Sequence, residues 1–84
     1  VSKIVLVNPM DVVTNEYYVS RRTVRYQKDR LVNEGQIMPL VAHQDDKGQW
    51  VIDDEDWPYA SSLVEAAREL AWPTILVTDD AGED

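Results

Sequence analysis

Asp53-Asp54-Glu55-Asp56 sets four carboxylates side by side, and Trp57-Pro58-Tyr59 follows at once. Oxygen-rich clusters of this kind attract hard cations such as magnesium or calcium. The spacing is poor for it, because consecutive residues at a strand end point to opposite sides and the Gly-centred twelve-residue pattern of a calcium loop is missing. The run therefore reads as a solvated acidic loop, with weak magnesium binding beside a nucleotide as the alternative. Trp57 and Tyr59 flank a rigid proline outside any periodic segment, which fits either anchors for a partner or a lid folded over a small core. Arg21, Arg25 and Lys28 recur at helical spacing, with Arg22 beside them and tyrosines at 17, 18 and 26 for stacking on bases. Such a face follows a phosphate backbone or is simply solvated and paired with the protein's own acids. His43 is the single histidine, and no serine, carboxylate or second ligand stands at motif spacing from it. It reads as structural. No Ser-His-Asp set, Gly-rich phosphate loop or histidine metal pair is present.

The rest of the composition narrows the field. The chain has 84 residues, a net charge of -8, 44% hydrophobic residues and no cysteine. That length supports one core, so the expected organisation is a single domain over residues 1–78 with an acidic, disordered tail over 79–84. Without cysteine there is no disulfide framework, thiolate metal site or thiol nucleophile, and a reducing cytosol is the expected location. No apolar run reaches the length needed to span a bilayer, so no membrane partner is expected. The charge is divided along the chain. Residues 1 to 40 carry six basic and four acidic side chains, a sum of +2, while residues 41 to 84 carry two basic and twelve acidic, a sum of -10. Blocks like these mark partner surfaces or tails.

Several elements must position those groups. Ile4-Val5-Leu6-Val7 is a continuous apolar run closed by Asn8-Pro9, which predicts a buried strand and a turn. Ser20 is an N-cap candidate for a helix running to Asn33 or Glu34 and stopped by Gly35, with Val24, Leu31 and Val32, and Tyr17 or Tyr18 just before, to dock it on a sheet. Met38 to His43 and Gln49 to Asp53 predict a hairpin across Gln44-Asp45-Asp46-Lys47-Gly48. Ser62 and Glu65 have capping-box spacing for a second helix striped by Leu63, Ala66, Ala67 and Leu70 and ended by Pro73. Thr74 to Thr78 predicts a last strand, and Trp50 and Trp72 read as core or near-core. The order is β-α-β-β-α-β, an α+β fold with a small mixed sheet of about four strands and two main helices.

Asn33-Glu34-Gly35-Gln36, then Met38-Pro39-Leu40-Val41, a hairpin, a helix with Ala66-Ala67-Arg68-Glu69-Leu70-Ala71 and finally Thr74-Ile75 follow one another in an order and spacing that resemble the N-terminal domain of ParB partition proteins, the ParB/sulfiredoxin fold. The resemblance spans Ile4 to Val77. It implies nucleotide binding, or in some members nuclease activity, through a Gly-Glu-Arg-Arg segment opening the second helix, where glycine admits a phosphate, helix N–H groups hold it and arginines neutralise it. In this chain Ala60, Ser61, Ser62 and Leu63 occupy those positions, and the loop before them is acidic. Sulfiredoxins need a cysteine that the chain lacks.

Two expectations follow. The first is a non-catalytic ParB-like module, an accessory protein of a phage or plasmid, that acts through protein or DNA contacts. Its acidic face, Asp53, Asp54, Glu55 and Asp56 with Trp57 and Tyr59 as anchors, would meet a basic or DNA-binding protein, and Arg21, Arg22, Arg25 and Lys28 would serve any weak DNA contact. No cofactor is expected under it. The alternative is a ParB-like nucleotide-binding protein with weak metal-dependent NTPase or nuclease activity, in which Gly35, Gln36, Ser61 and Ser62 hold CTP or ATP with magnesium. A homodimer is compatible with the shallow apolar face of the first helix.

Overall fold

A computed structural model of the chain describes residues 3–15, 17, 19–36, 38–53 and 59–79. Strand β1, Ile4–Val7, leads through a 3-10 turn at Pro9–Asp11 and an irregular stretch into helix α1, Arg21–Glu34. Strands β2, Leu40–Gln44, and β3, Trp50–Ile52, precede helix α2, Ala60–Glu69, and the last strand is β4, Ile75–Thr78. The four strands stand in the order β1-β4-β2-β3. β1 runs antiparallel to β4, β4 parallel to β2, and β2 antiparallel to β3. This is the mixed four-stranded sheet with two helices that the sequence pattern predicts.

Local chemistry explains each boundary. Asn8 accepts from the Met10 amide at 2.9 Å and starts the 3-10 turn, with Pro9 at a position that has no need of an N–H. Ser20 and Thr23 form a reciprocal capping box at the head of α1. Gly35 closes that helix at φ +76°, a backbone region that glycine alone enters freely, and its N–H bonds to Leu31 O at 3.0 Å. The hairpin turn is held by Asp45, whose carboxylate accepts from the Lys47 and Gln49 amides, both at 2.9 Å.

Three expectations about the helices are corrected. α2 opens at Ala60 with Tyr59 as an uncapped N-cap, two residues earlier than Ser62, because both serines are turned into the protein and Glu65 pairs with Arg68 at 3.2 Å instead of reaching back to the helix start. The helix ends at Glu69 through Ala71 at φ +59°, a turn made before Pro73 is reached. Val32 lies exposed, as does Tyr17, so α1 docks through Val24, Gln27 and Leu31, one face at i, i+3 and i+7. α2 is the buried helix. Ala60, Ser61, Ser62, Leu63, Val64, Ala66 and Ala67 are all enclosed, and their small side chains let α1 pack closely along it.

The core joins these residues to Leu40, Ala42, Ile52, Ile75 and Val77, with Val5, Val7, Trp50 and Trp72 partly buried against it. All five of these core strand residues are on the face of the sheet that the helices cover, while Thr78, also buried, is on the other. Ile4 and Leu6 point the other way and are 61% and 65% exposed, so the apolar run read as a buried strand is instead an edge strand with one side open. A continuous apolar run carries no alternation from which that could be read.

Candidate interaction surface

Strand pairing fixes what lies on the open side. Val13 bridges to Val51, Val51 pairs with His43, Val41 pairs with Thr78, and Thr78 pairs with Ile4. Paired residues share a face, and so do residues two apart on one strand. Val13, Val51, Val41, Leu76, Leu6 and Ile4 therefore form one apolar surface that crosses the whole sheet, with His43 and Thr78 set into it. Val13 reaches the far edge because its N–H bonds Trp50 O at 2.9 Å and its O accepts from Ile52 N at 3.0 Å. The sheet side facing solvent in such folds is ordinarily polar, and a contiguous apolar patch marks a contact surface.

One carboxylate stands in the middle of that surface. The Asp53 amide donates to Val41 O at 3.0 Å, placing Asp53 in a row with Val41, Thr78 and Ile4, between the Leu6–Leu76 pair and the His43–Val51 pair. Asp53 also meets His43 Nδ1 at 3.1 and 3.2 Å, which brings its carboxylate onto the open face. Tyr59 is exposed at the head of α2. Asp54, Glu55, Asp56 and Trp57, and residues 80–84 of the expected tail, lie outside the described residues.

The expected nucleotide residues are not brought together. Ser61 and Ser62 are fully buried: Ser61 Oγ accepts from the Asn15 amide at 3.0 Å, and Ser62 Oγ meets Thr23 Oγ1 at 2.7 Å. They act as struts between α2 and the segments packed on it. Ser62 thus meets the first turn of α1, whereas Gly35 ends the same helix twelve residues later, about 18 Å away at 1.5 Å per residue. Gln36 has a different task. Its side-chain amide donates to Leu76 O at 2.9 Å and accepts from Leu76 N at 2.7 Å, so it stands in for a strand residue and extends the β2–β4 ladder by one step.

The basic residues of α1 do share a face. Arg21, Arg25 and Lys28 line a groove against Glu69 of α2, where Lys28 lies 3.0 Å and Arg21 3.7 Å from the carboxylate. Arg21 is 91% exposed, so its pair contributes little. Arg22 and Arg25 flank a shallow concavity with Tyr26 and Asp29, and among the described residues neither makes an ion pair. A further cleft of about 440 Å³ runs between Thr14, Val19, Arg21, Glu65 and Arg68. Arg68 is committed to structure there, donating to Pro9 O at 2.8 Å and to Val12 O, and so tying the 3-10 turn to α2. Sequence reading gave Arg68 no role, since its partners are backbone carbonyls more than fifty positions away.

Among the described residues no group of three His, Cys, Asp or Glu side chains is arranged to hold a metal ion, and no helix is long and apolar enough to cross a membrane. Compared with protein families, with curated proteins and with solved structures, the chain finds no match.

Proposed function

We propose that this chain is a non-catalytic, ParB-like binding module that works through protein contact at the open face of its sheet. The observation that carries the reading is the apolar surface from Val13 to Ile4, which the protein's own helices leave uncovered. The occupation of Ser61 and Ser62 by internal hydrogen bonds supports it, because the helix start that would receive a phosphate in a ParB-like enzyme is closed over by Asn15 and Thr23. The reading needs no cofactor. The order of motifs resembling ParB suggests an accessory protein of a phage or plasmid, working in a reducing cytosol in keeping with the lack of cysteine.

The test is an NMR titration of labelled protein with CTP and then ATP, each with magnesium. Unchanged spectra are expected. Shifts clustered at Gly35, Gln36, Ser61 and Ser62 would overturn the reading in favour of a nucleotide-binding protein with metal-dependent hydrolytic activity.

A second reading rests on Arg22 and Arg25, exposed and without ion pairs among the described residues: weak contact of α1 with a nucleic-acid backbone. Replacing both with alanine is then expected to remove a low-salt gel shift equally for unrelated DNA sequences. If the unaltered protein gives no shift at low salt, that reading is dismissed.

A further inference from the structure

We propose that the open edge of β1 pairs with β1 of a second copy of this chain, antiparallel about a two-fold axis at Val5, so that two four-stranded sheets join into one of eight strands. The contact lies at the sheet edge and is separate from the working of the open face.

Backbone direction identifies the edge. The Asp53 amide bonds Val41 O, so the backbone groups of Val41 face β3 and those of Leu40 and Ala42 face β4. On β4 the groups of Leu76 face the β2 side, where Gln36 serves both of them, and those of Thr78, two residues on, face the same way. Ile75 and Val77 therefore turn toward β1 and form the hydrogen-bonded pairs with Val7 and Val5. The N–H and C=O groups of Ile4 and Leu6 are left pointing outward, and among the described residues nothing bonds them. The other edge of the sheet is closed, because Val13 bonds Trp50 O and Ile52 N on the outer side of β3. Edge strands are ordinarily blunted by proline, charge or a bulge, and Ile4-Val5-Leu6-Val7 carries none of these.

A second copy supplies the matching strand. With the two-fold at Val5, Ile4 exchanges both its hydrogen bonds with Leu6 of the second copy, and Leu6 both of its own with the second Ile4. Every outward group of β1 is then used before Asn8-Pro9 ends the strand. Cross-strand neighbours are isoleucine with leucine on the open face and valine with valine on the helical face, all apolar. Val5 and Val7 are only half-buried, so the helices stop short of enclosing β1 and a neighbour there adds cover. An extended segment of another protein would need this same uncharged pattern, which the chain already carries. Charge at the edge is balanced: the first acid is Asp11, and one step beyond the Ile4–Thr78 pair Lys3 stands across from Asp79. The net charge of -8 acts from farther off, since two bodies with a 12.0 Å radius of gyration have centres separated by more than a Debye length of about 8 Å. Association therefore strengthens as salt rises. In the joined sheet both open faces lie on one side, and Ile4 and Leu6 pass from the rim of an apolar surface to its middle.

Strand pairing alone is a small interface, so dimerisation is expected between about 10 µM and 1 mM. Sedimentation equilibrium and amide hydrogen exchange of the full chain across that range test it. Val5 and Val7 amides should exchange slowly at every concentration, while those of Ile4 and Leu6 should be fast in dilute protein and slow as the dimer fills. Leu6→Pro removes an outward donor and spares the β1–β4 ladder, and should weaken dimerisation about tenfold or more with Val5 and Val7 still slow. Val13→Ser, on the open face at the far edge, should leave dimerisation unchanged. A chain that is monomeric at about 1 mM overturns the proposal. So does a dimer in which the Ile4 and Leu6 amides stay fast, or one that Val13→Ser dissolves and Leu6→Pro does not, because two open faces would then be stacked on each other. Exchange in the unaltered chain decides the matter even where the proline loosens β1.

Discussion

The two faces of the sheet are built from the same kinds of residue and differ in what covers them. On the inner face Leu40, Ala42, Ile52, Ile75 and Val77 lie under α2 and α1. On the outer face Ile4, Leu6, Val41, Val51 and Leu76 are just as apolar, yet among the described residues no helix lies over them. In a half-covered sheet, alternation of apolar and polar residues tells the two sides apart, and here the alternation is missing on β1, where all four residues are apolar. The difference teaches that hydrophobicity on the inner face makes the fold, whereas on the outer face it is half-buried at Val41, Val51 and Leu76 and left exposed at Ile4 and Leu6, where it is available to a partner.

The sharpest way to break that comparison is to make one change on each face. Leu40 is 1% exposed and Leu6 is 65% exposed, on strands of the same sheet. Leu40→Ala is expected to cost about 2–5 kcal/mol, from lost burial and the cavity left behind. Leu6→Ala should cost under about 1 kcal/mol. Equilibrium urea unfolding of both variants measures the two values side by side. Equal costs would mean that the outer face is covered in the free protein, and the proposed docking surface would then be lost.

Much of this architecture is legible in the sequence, because its signals are local. Gly35 after a helical run, Asp45 and Gly48 between two strand-like runs, and Ser20 before Arg21 each act through residues within a few positions, and each is found where the pattern puts it. The serines were harder. Ser62 three residues before Glu65 carries the signature of a capping box, and the structure spends it on Thr23, 39 positions away, while the reciprocal cap forms at Ser20 and Thr23. Which of two equally good local signals is used depends on which side of α2 is buried, and that is decided by tertiary packing. The open face was also out of reach, since its members come from all four strands and Val13, and only the pairing register brings them together.

Gln36 offers the next largest effect. Its amide serves both backbone groups of Leu76 at 2.7 and 2.9 Å, where β2 has not yet begun. Gln36→Ala leaves a donor and an acceptor unpaired in a partly buried place and is expected to destabilise by about 2–4 kcal/mol, with early amide exchange at Leu76. Were Gln36 a nucleotide ligand and nothing else, the substitution would leave stability unchanged.

Ser61 sharpens the same contrast between structural and functional polar groups. Ser61→Ala removes the acceptor for the Asn15 amide and is expected to cost about 1–3 kcal/mol in thermal or urea unfolding. A cost near zero, together with loss of a ligand-induced shift, would return Ser61 to the role of a phosphate contact.

The smallest effect has the opposite sign. Thr78 belongs to the outer face by its pairing with Ile4 and Val41, yet it is only 7% exposed, and among the described residues its hydroxyl has no hydrogen-bond partner. A buried unpaired hydroxyl is a cost, and valine has nearly the same shape without it. Thr78→Val is therefore expected to raise stability by about 1 kcal/mol, seen as a higher urea midpoint at unchanged slope. The same variant extends the apolar row from Val41 to Ile4 and leaves Asp53 in place. A destabilised variant would mean that the hydroxyl is paired in solution, and the polar break in the row would then belong to the design of the surface.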